Sequence, residues 1–331
     1  MEGILVTDFM VDVTVERETL PGVVIESASA LLRHMPRADE LVSLVRERKV
    51  TVLIAWHETA LDAAALAALA MAGVHGIVRA GVGYDNVDLA AARAEGITVC
   101  NVPDYGTDEV ADHTLALLLW CLRGLRAASP AAIAPVGWWD TARFASIPRL
   151  QGRTLALLGF GRIGQATARR AQSFGLDVRW YDPYVPRGQD KVTRTSRAET
   201  LPALLAGADA LSVHCLLSPE TRGLLDAPTL ALLPAHAVLV NTARGGMVDA
   251  AALRDVLRAG QLAGAAVDVL AHEPPVDDPL YSAYMRGELP TLLMTPHIAW
   301  YSRESSTEIR RKAAAEAGRL LRGQKPWNPV A

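Results

Sequence analysis

Gly159-Phe160-Gly161-Arg162-Ile163-Gly164 is the stretch that most narrows what this chain can become. The G-x-G-x-x-G spacing is weak evidence alone, but here an apolar run, Leu155 to Leu158, leads into it and a helical pattern leaves it. In that setting Gly159 permits a tight turn, Gly161 lets the backbone approach a pyrophosphate, and Gly164 lets helix and strand pack closely. The backbone at Arg162 and Ile163 opens the helix and turns its N–H groups toward the phosphates. Eighteen residues after Gly164, at the end of the next strand pattern, Asp182 offers a carboxylate to both hydroxyls of a ribose. A turn that merely joins strand to helix requires none of this context. The same aspartate repels a 2′-phosphate, so NAD is expected as the cofactor rather than NADP, with Arg187 near enough in sequence to soften the preference.

The fingerprint begins only at residue 159 of 331, so another domain precedes it. At roughly 150 residues per domain the length fits two. In the first part, Ile4–Thr7, Val23–Ile25, Thr51–Ile54, Gly76–Val78 and Ile97–Val99 read as strands, separated by helical stretches at Ala38–Arg48, Leu61–Met71 and Val87–Glu95. A long helix follows from Thr107 to about Arg123, and then a stretch without periodicity, Ala127 to Gln151, that contains Trp138-Trp139. From Thr154 a second series runs through strands at 154–158, 177–181, 210–214, 237–241, 263–269 and 292–294, and closes on an amphipathic helix at 302–322 whose Arg310-Arg311-Lys312 run reads as a solvated face. Strands alternating with helices imply parallel sheets covered on both faces. The expected fold is α/β, two doubly wound parallel-sheet domains.

Composition removes several function classes. Half the residues are apolar and 21% are charged, which supports real cores and argues against disorder. A net charge of −3 gives no footprint for nucleic acid or an anionic membrane. Cys100, Cys121 and Cys215 show no C-x-x-C spacing, which argues against a disulfide framework and a zinc site, so no metal is expected. The apolar run Thr114–Leu122 is far short of the roughly 18 residues of a spanning helix, and the opening Met1–Val6 lacks a signal peptide's basic region. A cytoplasmic location is expected.

Five blocks occur in order: Arg79-Ala80-Gly81-Val82-Gly83-Tyr84-Asp85-Asn86-Val87-Asp88, the glycine fingerprint, Asn241-Thr242-Ala243-Arg244-Gly245-Gly246, Val267-Asp268 through Glu273-Pro274, and Pro296-His297-Ile298-Ala299. With them the chain resembles the D-isomer-specific 2-hydroxyacid dehydrogenase family over nearly its whole length. Trp56-His57, Cys100-Asn101-Val102-Pro103 and His297–Ser302 resemble its C-terminal-binding-protein branch. The resemblance implies a flavodoxin-like substrate domain, residues 1–101 plus 300–331, and a Rossmann NAD-binding domain, residues 102–299, with the site in the cleft between them. It implies a homodimer built through the nucleotide domain, with the Trp138-Trp139 region part of the contact. The implied reaction is hydride transfer between NAD(H) and C2 of a small 2-keto acid or D-2-hydroxy acid.

The resemblance also implies Arg244, Glu273 and His297 as the catalytic set, and the residue chemistry agrees. Reducing a 2-keto acid needs an acid to protonate the nascent alkoxide and a cation to orient the carboxylate. Histidine titrates ordinarily at about 6.5, near working pH. His297 follows a strand and a proline, where a loop at the strand's carboxyl end borders the crevice of such a sheet. Glu273 holds the other ring nitrogen and favours the imidazolium, and Arg244 forks onto the substrate. By resemblance, Thr242, Ala243 and Trp300 face the cofactor, Cys215 lies by the nicotinamide ribose where threonine is common, and Asp268 meets the carboxamide. Val82 and Gly83 give amides to the substrate carboxylate. His214 reads as a half-buried strand residue, His272 as a surface residue and His113 as facing outward from its helix.

Two questions stay open at this level. Arg79, just before the Gly81-Val82-Gly83 loop, either reads a second anionic group on the substrate, with Trp300 as an apolar wall, or braces the loop by pairing with Asp104, Asp85 or Glu109. The alternative to an enzyme is an NAD-sensing, corepressor-like interaction protein with little turnover.

Overall fold

The computed structural model describes residues 3–128 and 140–331. Trp138-Trp139 therefore lies outside the described residues. The chain divides into two compact units, Met1–Gly106 with Ser302–Ala331, and Thr107–Tyr301.

The first unit is built on strands β1 (Gly3–Val6), β2 (Ile25–Ser27), β3 (Val50–Ala55), β4 (Gly76–Arg79) and β5 (Thr98–Asn101). All pair in parallel, in the order β2-β1-β3-β4-β5. This is the flavodoxin-like order, in which the chain reverses its direction of winding between β1 and β3. The strands are short runs of β-branched and leucine side chains buried on both faces, as a doubly covered parallel sheet requires. Helix Ala38–Arg48 puts Leu41, Leu44 and Val45 on the same core as Leu53, Leu66 and Ile77. Helix Arg303–Leu321 belongs to this unit and packs on β3 and β4.

The Arg310-Arg311-Lys312 run on that helix is not a plain solvated face. Arg310 pairs with buried Glu16 (2.6 Å), and Lys312 with Asp104 (2.9 Å) and Glu308 (2.6 Å). Burying Glu16 without a cation would be costly, so arginine is drawn onto it. The second strand also lies two residues later than the β-branched run Val23–Ile25 suggests. The Val24 carbonyl already accepts the Ile4 amide, but Ile25–Ser27 forms the register.

The second unit carries β6 (Thr154–Leu158), β7 (Asp177–Tyr181), β8 (Ser196–Arg197), β9 (Ala210–Val213), β10 (Val238–Asn241), β11 (Gly264–Val267) and β12 (Leu292–Met294). They pair in parallel in the order β12-β11-β10-β9-β6-β7-β8. The first three strands run outward one way and the next four the other, the Rossmann pattern with one strand added. Successive residues feed opposite cores: Leu155 and Leu157 join Leu117, Leu118 and Trp180, whereas Ala156 and Leu158 join Leu204, Leu239 and Leu253. Helix Thr107–Leu122 packs a stripe of Val110, Ala111, Thr114, Leu117, Leu118 and Leu122, spaced three and four apart. Asp108 in its first turn, where the helix dipole favours anions, pairs with Arg170 at 2.7 Å. Among the described residues no helix is long and apolar enough to cross a membrane.

Candidate active site

In the second unit the winding reverses between β6 and β9, where the ends of these strands leave a crevice. Gly159 follows β6 at φ 98°, and a Cβ there would stand 2.5 Å from the Cys215 amide nitrogen beyond β9. A Cβ on Gly164 would stand 2.5 Å from the Gly159 carbonyl oxygen. Both glycines are therefore demanded by close backbone contact. Gly161 differs: at the N-cap of helix Arg162–Ser173, it has nothing within 4 Å of the place a Cβ would take, and no side chain caps the helix there. Open space over uncapped N–H groups fits a pyrophosphate.

Asp182, beyond β7, accepts from the amides of Phe160 and Tyr184, each at 2.9 Å. It thus fastens the fingerprint loop as well as presenting a carboxylate. Phe160 stacks on Trp180 at 4.4 Å, nearly parallel, so the loop is anchored on both sides. These residues fit a dinucleotide.

Arg244, Glu273 and His297 lie on the loops that follow β10, β11 and β12. After β10, Asn241 accepts from the Ala243 amide (3.0 Å) and donates to the Arg244 carbonyl (2.9 Å), coiling the chain so that Arg244 is half-buried at the turn. A Cβ on Gly245 would stand 2.0 Å from the Leu270 carbonyl carbon, so this loop lies directly against the one after β11. Glu273 accepts from the Leu270 amide through Oε1 (2.8 Å), and its Oε2 lies 2.6 Å from His297 Nδ1. The histidine and glutamate thus form a charge-assisted pair with one oxygen already fixed to the backbone.

His297 stands at φ 52°, a left-handed conformation that costs a non-glycine residue about 1–2 kcal/mol. Its amide donates to the Asp268 carbonyl at 2.7 Å. The next two amides, Ile298 and Ala299, donate to the Asp268 carboxylate at 3.0 and 2.9 Å. Asp268, buried at the end of β11, is thus the hub of the loop that presents His297. Trp300 follows, edge-on to Tyr301 at 5.6 Å.

His214 is half-buried just past β9, with Nε2 2.9 Å from the Ser212 hydroxyl. Desolvation pushes it down to about 3, so it is neutral near pH 7 and no rival to His297 as an acid. Cys215 points its sulfur at Met247 Sδ, 3.2 Å away, and burial pushes the thiol up to about 12, so it stays protonated. Among the described residues no group of histidine, cysteine and carboxylate side chains could hold a metal ion. His272 is exposed.

One reading is corrected. His113 does not face outward: its Nε2 lies 3.2 Å from Thr295 Oγ1 and 3.7 Å from Asp268 Oδ1. The next residue, buried Thr114, meets the Thr242 hydroxyl at 2.7 Å. Sequence reasoning missed His113, Thr114 and Thr295 as parts of this arrangement. The one usable signal was the buried stripe of the helix, which flanks His113 on both sides.

In the first unit Arg79 ends β4 and is buried, donating from Nη1 to the Ala80 carbonyl at 2.7 Å. Gly81, at φ 152°, lies flat against that guanidinium: a Cβ would fall 1.5 Å from Nη1. Asn101 at the end of β5 donates to the Val82 carbonyl (2.7 Å), and Val102 to that of Gly81 (3.1 Å), so the Gly81-Val82-Gly83 loop is pinned by its carbonyls. Asp104, one of the carboxylates considered for Arg79, is held by Lys312.

Residues 115–299 match the model of the D-isomer specific 2-hydroxyacid dehydrogenase, NAD binding domain, family. A D-3-phosphoglycerate dehydrogenase of Methanocaldococcus jannaschii is 37% identical over 77% of this chain and 47% of its own length. The chain spans about half the length of the curated relatives it matches. The crystal structure of a Thermus thermophilus protein is similar over 99% of both chains, with 34% identity and a TM-score of 0.78. That of an NADPH-dependent glyoxylate/hydroxypyruvate reductase from Sinorhizobium meliloti, in complex with NADP and malonate, is 30% identical over 100% of this chain and 97% of the other, with a TM-score of 0.79.

Proposed function

Because this chain belongs to the D-isomer-specific 2-hydroxyacid dehydrogenase family, we propose that it transfers a hydride reversibly between NAD(H) and C2 of a small 2-keto acid or D-2-hydroxy acid. The observation that carries the reading is the His297–Glu273 pair at 2.6 Å, whose glutamate lies on the loop packed against the one that bears Arg244. In this reading the amides around Gly161, Arg162 and Ile163 hold the pyrophosphate and Asp182 the ribose, with Cys215, Thr242, Ala243, Asp268 and Trp300 along the rest of the cofactor. When bound, the dinucleotide supplies or takes the hydride at its nicotinamide C4.

The chain's own residues do the rest. Glu273, fixed through Oε1 to the Leu270 amide, holds His297 by Nδ1 and sets the orientation of the ring. That leaves Nε2 as the atom that gives a proton to the substrate oxygen in reduction and takes it back in oxidation. Arg244 fixes the substrate carboxylate and polarises the carbonyl. The amides of Val82 and Gly83 bind the same carboxylate, and the tight packing of Arg79 against Gly81 keeps their loop in shape.

Three finer points complete the reading. Asp182 favours NAD over NADP, although a reductase of similar fold takes NADPH. Arg79 suits a substrate with a second anionic group, as in the phosphoglycerate of the relatives' name. The resemblance of Trp56-His57, Cys100-Asn101-Val102-Pro103 and His297–Ser302 supports the C-terminal-binding-protein branch as part of this proposal, which also takes the chain as a cytoplasmic homodimer.

The test is oxidation of NADH with a panel of monoanionic and dianionic 2-keto acids, by wild type and His297→Ala. Wild type is expected to turn over at least one of them, and the variant to bind NADH normally while kcat falls about 10²-fold or more. A variant with near-normal kcat, or a wild type inert with every acid, overturns the reading.

A further inference from the structure

We propose that His113 is a positioning residue of this reaction, holding His297 in place through Thr295 and the buried Asp268, an inference that rests on the dehydrogenase reading above. The Asp268 side chain has no exposed surface. Its Oδ2 accepts from the Ala299 amide, and its Oδ1 accepts from the Ile298 amide and from the Thr295 hydroxyl at 2.5 Å. That last bond uses the only hydrogen of the hydroxyl. Thr295 Oγ1 therefore accepts from whatever polar hydrogen faces it, and at 3.2 Å that is His113 Nε2. The contact assigns the tautomer: His113 carries its proton on Nε2, or on both nitrogens when charged.

The result is a directed chain, from imidazole N–H to hydroxyl to carboxylate, in which each bond polarises the next. The same ring also lies 3.7 Å from Asp268 Oδ1, so whatever positive character it has falls on a carboxylate removed from water. What Asp268 holds in turn is the left-handed turn at His297, through its own carbonyl and two amides. Helix Thr107–Leu122 reaches a second loop of the site one residue on, where Thr114 meets Thr242. The helix acts as a buttress, and His113 is its contact with the acid loop. Without the imidazole, Thr295 loses its donor, Asp268 loses the ring beside it, and the turn loosens. His113 touches no reacting atom, so the loss falls on presentation of His297 and on Asp268 toward the nicotinamide.

The experiment compares full-length wild type, His113→Phe, which fills the space without a donor, and His113→Gln, whose amide can donate near the position of Nε2. His113→Ala serves if the phenylalanine variant does not fold. Expected for Phe or Ala are a kcat lower by about tenfold and a Kd for NADH, from fluorescence titration without keto acid, higher by about fivefold. KM for the 2-keto acid stays within twofold, and Gln recovers most of both losses. A donor-free variant with kcat and NADH Kd within twofold of wild type overturns the inference. So does a Gln variant as impaired as Phe, because the donor is then not what matters. A wild type that neither binds nor oxidises NADH removes the dehydrogenase reading itself, whereas normal wild-type turnover with an unimpaired donor-free variant removes only the role of His113.

Discussion

The two sheets share one architecture and treat the same topological position in opposite ways. In each, the chain reverses its winding between two parallel strands, and the crevice outside their carboxyl ends is where such folds bind ligands. In the seven-stranded sheet that crevice is kept open by glycine. Gly159 and Gly164 bring backbones into contact, and Gly161 leaves free space over the start of a helix. In the five-stranded sheet the protein fills the position with its own anion. Asp8, just past β1, is fully buried at φ 63°, and its carboxylate accepts from the Thr7 hydroxyl (2.9 Å), the Thr59 hydroxyl and the Trp56 amide (2.6 Å) beyond β3. One switch point is shaped to receive an anion, the other is plugged by one. Topology offers the position in both sheets; side-chain size and charge decide whether it receives a ligand.

Substitutions at the two positions separate these uses. Gly161→Val puts branched carbon where a Cβ has nothing within 4 Å, at a backbone conformation (φ −74°) that valine tolerates. NADH affinity is expected to fall by about 100-fold or more, some 2.7 kcal/mol, with the melting temperature nearly unchanged. Titration of NADH fluorescence checks this, and retained binding would show that the loop does not approach the dinucleotide. Asp8→Asn is the mirror image. It opposes an amide N–H to the donors gathered there, and the stability measured by urea unfolding is expected to drop by about 2 kcal/mol, with NADH affinity intact. A large loss of NADH binding in that variant would break the contrast between the sheets.

The smallest effect concerns His214, which lines the open switch point next to Gly159. Folding pushes it down to about 3 from its ordinary 6.5, so the unfolded chain takes up a proton before the folded one does. Its contribution is complete above pH 6.5 and is lost as the pH falls from there toward 3, at about 1 kcal/mol per unit. His214→Asn should therefore flatten the decline in unfolding free energy between pH 6.5 and 5. An unchanged slope would place that acid sensitivity elsewhere.

Much of the fold is legible in the sequence where local pattern and final environment coincide. β6, β7 and β12 run over the residues their strand patterns mark: β6 is apolar almost throughout, as a strand covered on both faces must be, and β7 alternates Asp177 and Arg179 with buried Val178 and Trp180. Helix Ala38–Arg48 is likewise where its periodicity lies. The two-residue strand Ser196–Arg197 and helix Pro279–Met285 are not legible in this way, the first too short for a period and the second only two turns long. At the site, the motif residues could be named, whereas the residues that hold them could not. Thr295 and His113 carry no spacing signal, since their partners are fixed by neighbouring strand ends and not by neighbouring sequence.

That division has a physical basis. Alternation of apolar residues, glycine where φ must be positive, and aspartate ahead of a helix are properties of a few consecutive residues, so the sequence by itself determined the strands, the helices and the fingerprint turn. Sheet order is not chain order. Only the folded sheet sets β6 between β7 and β9, lays the Arg244–Gly246 turn on Leu270, and brings His113 to Thr295 across 182 residues, Thr114 to Thr242 across 128, and Arg310 to Glu16 across 294. The tertiary structure alone decided those pairings, because a polar group buried on folding takes the partner that the packing brings within 3 Å or so, whatever its distance along the chain.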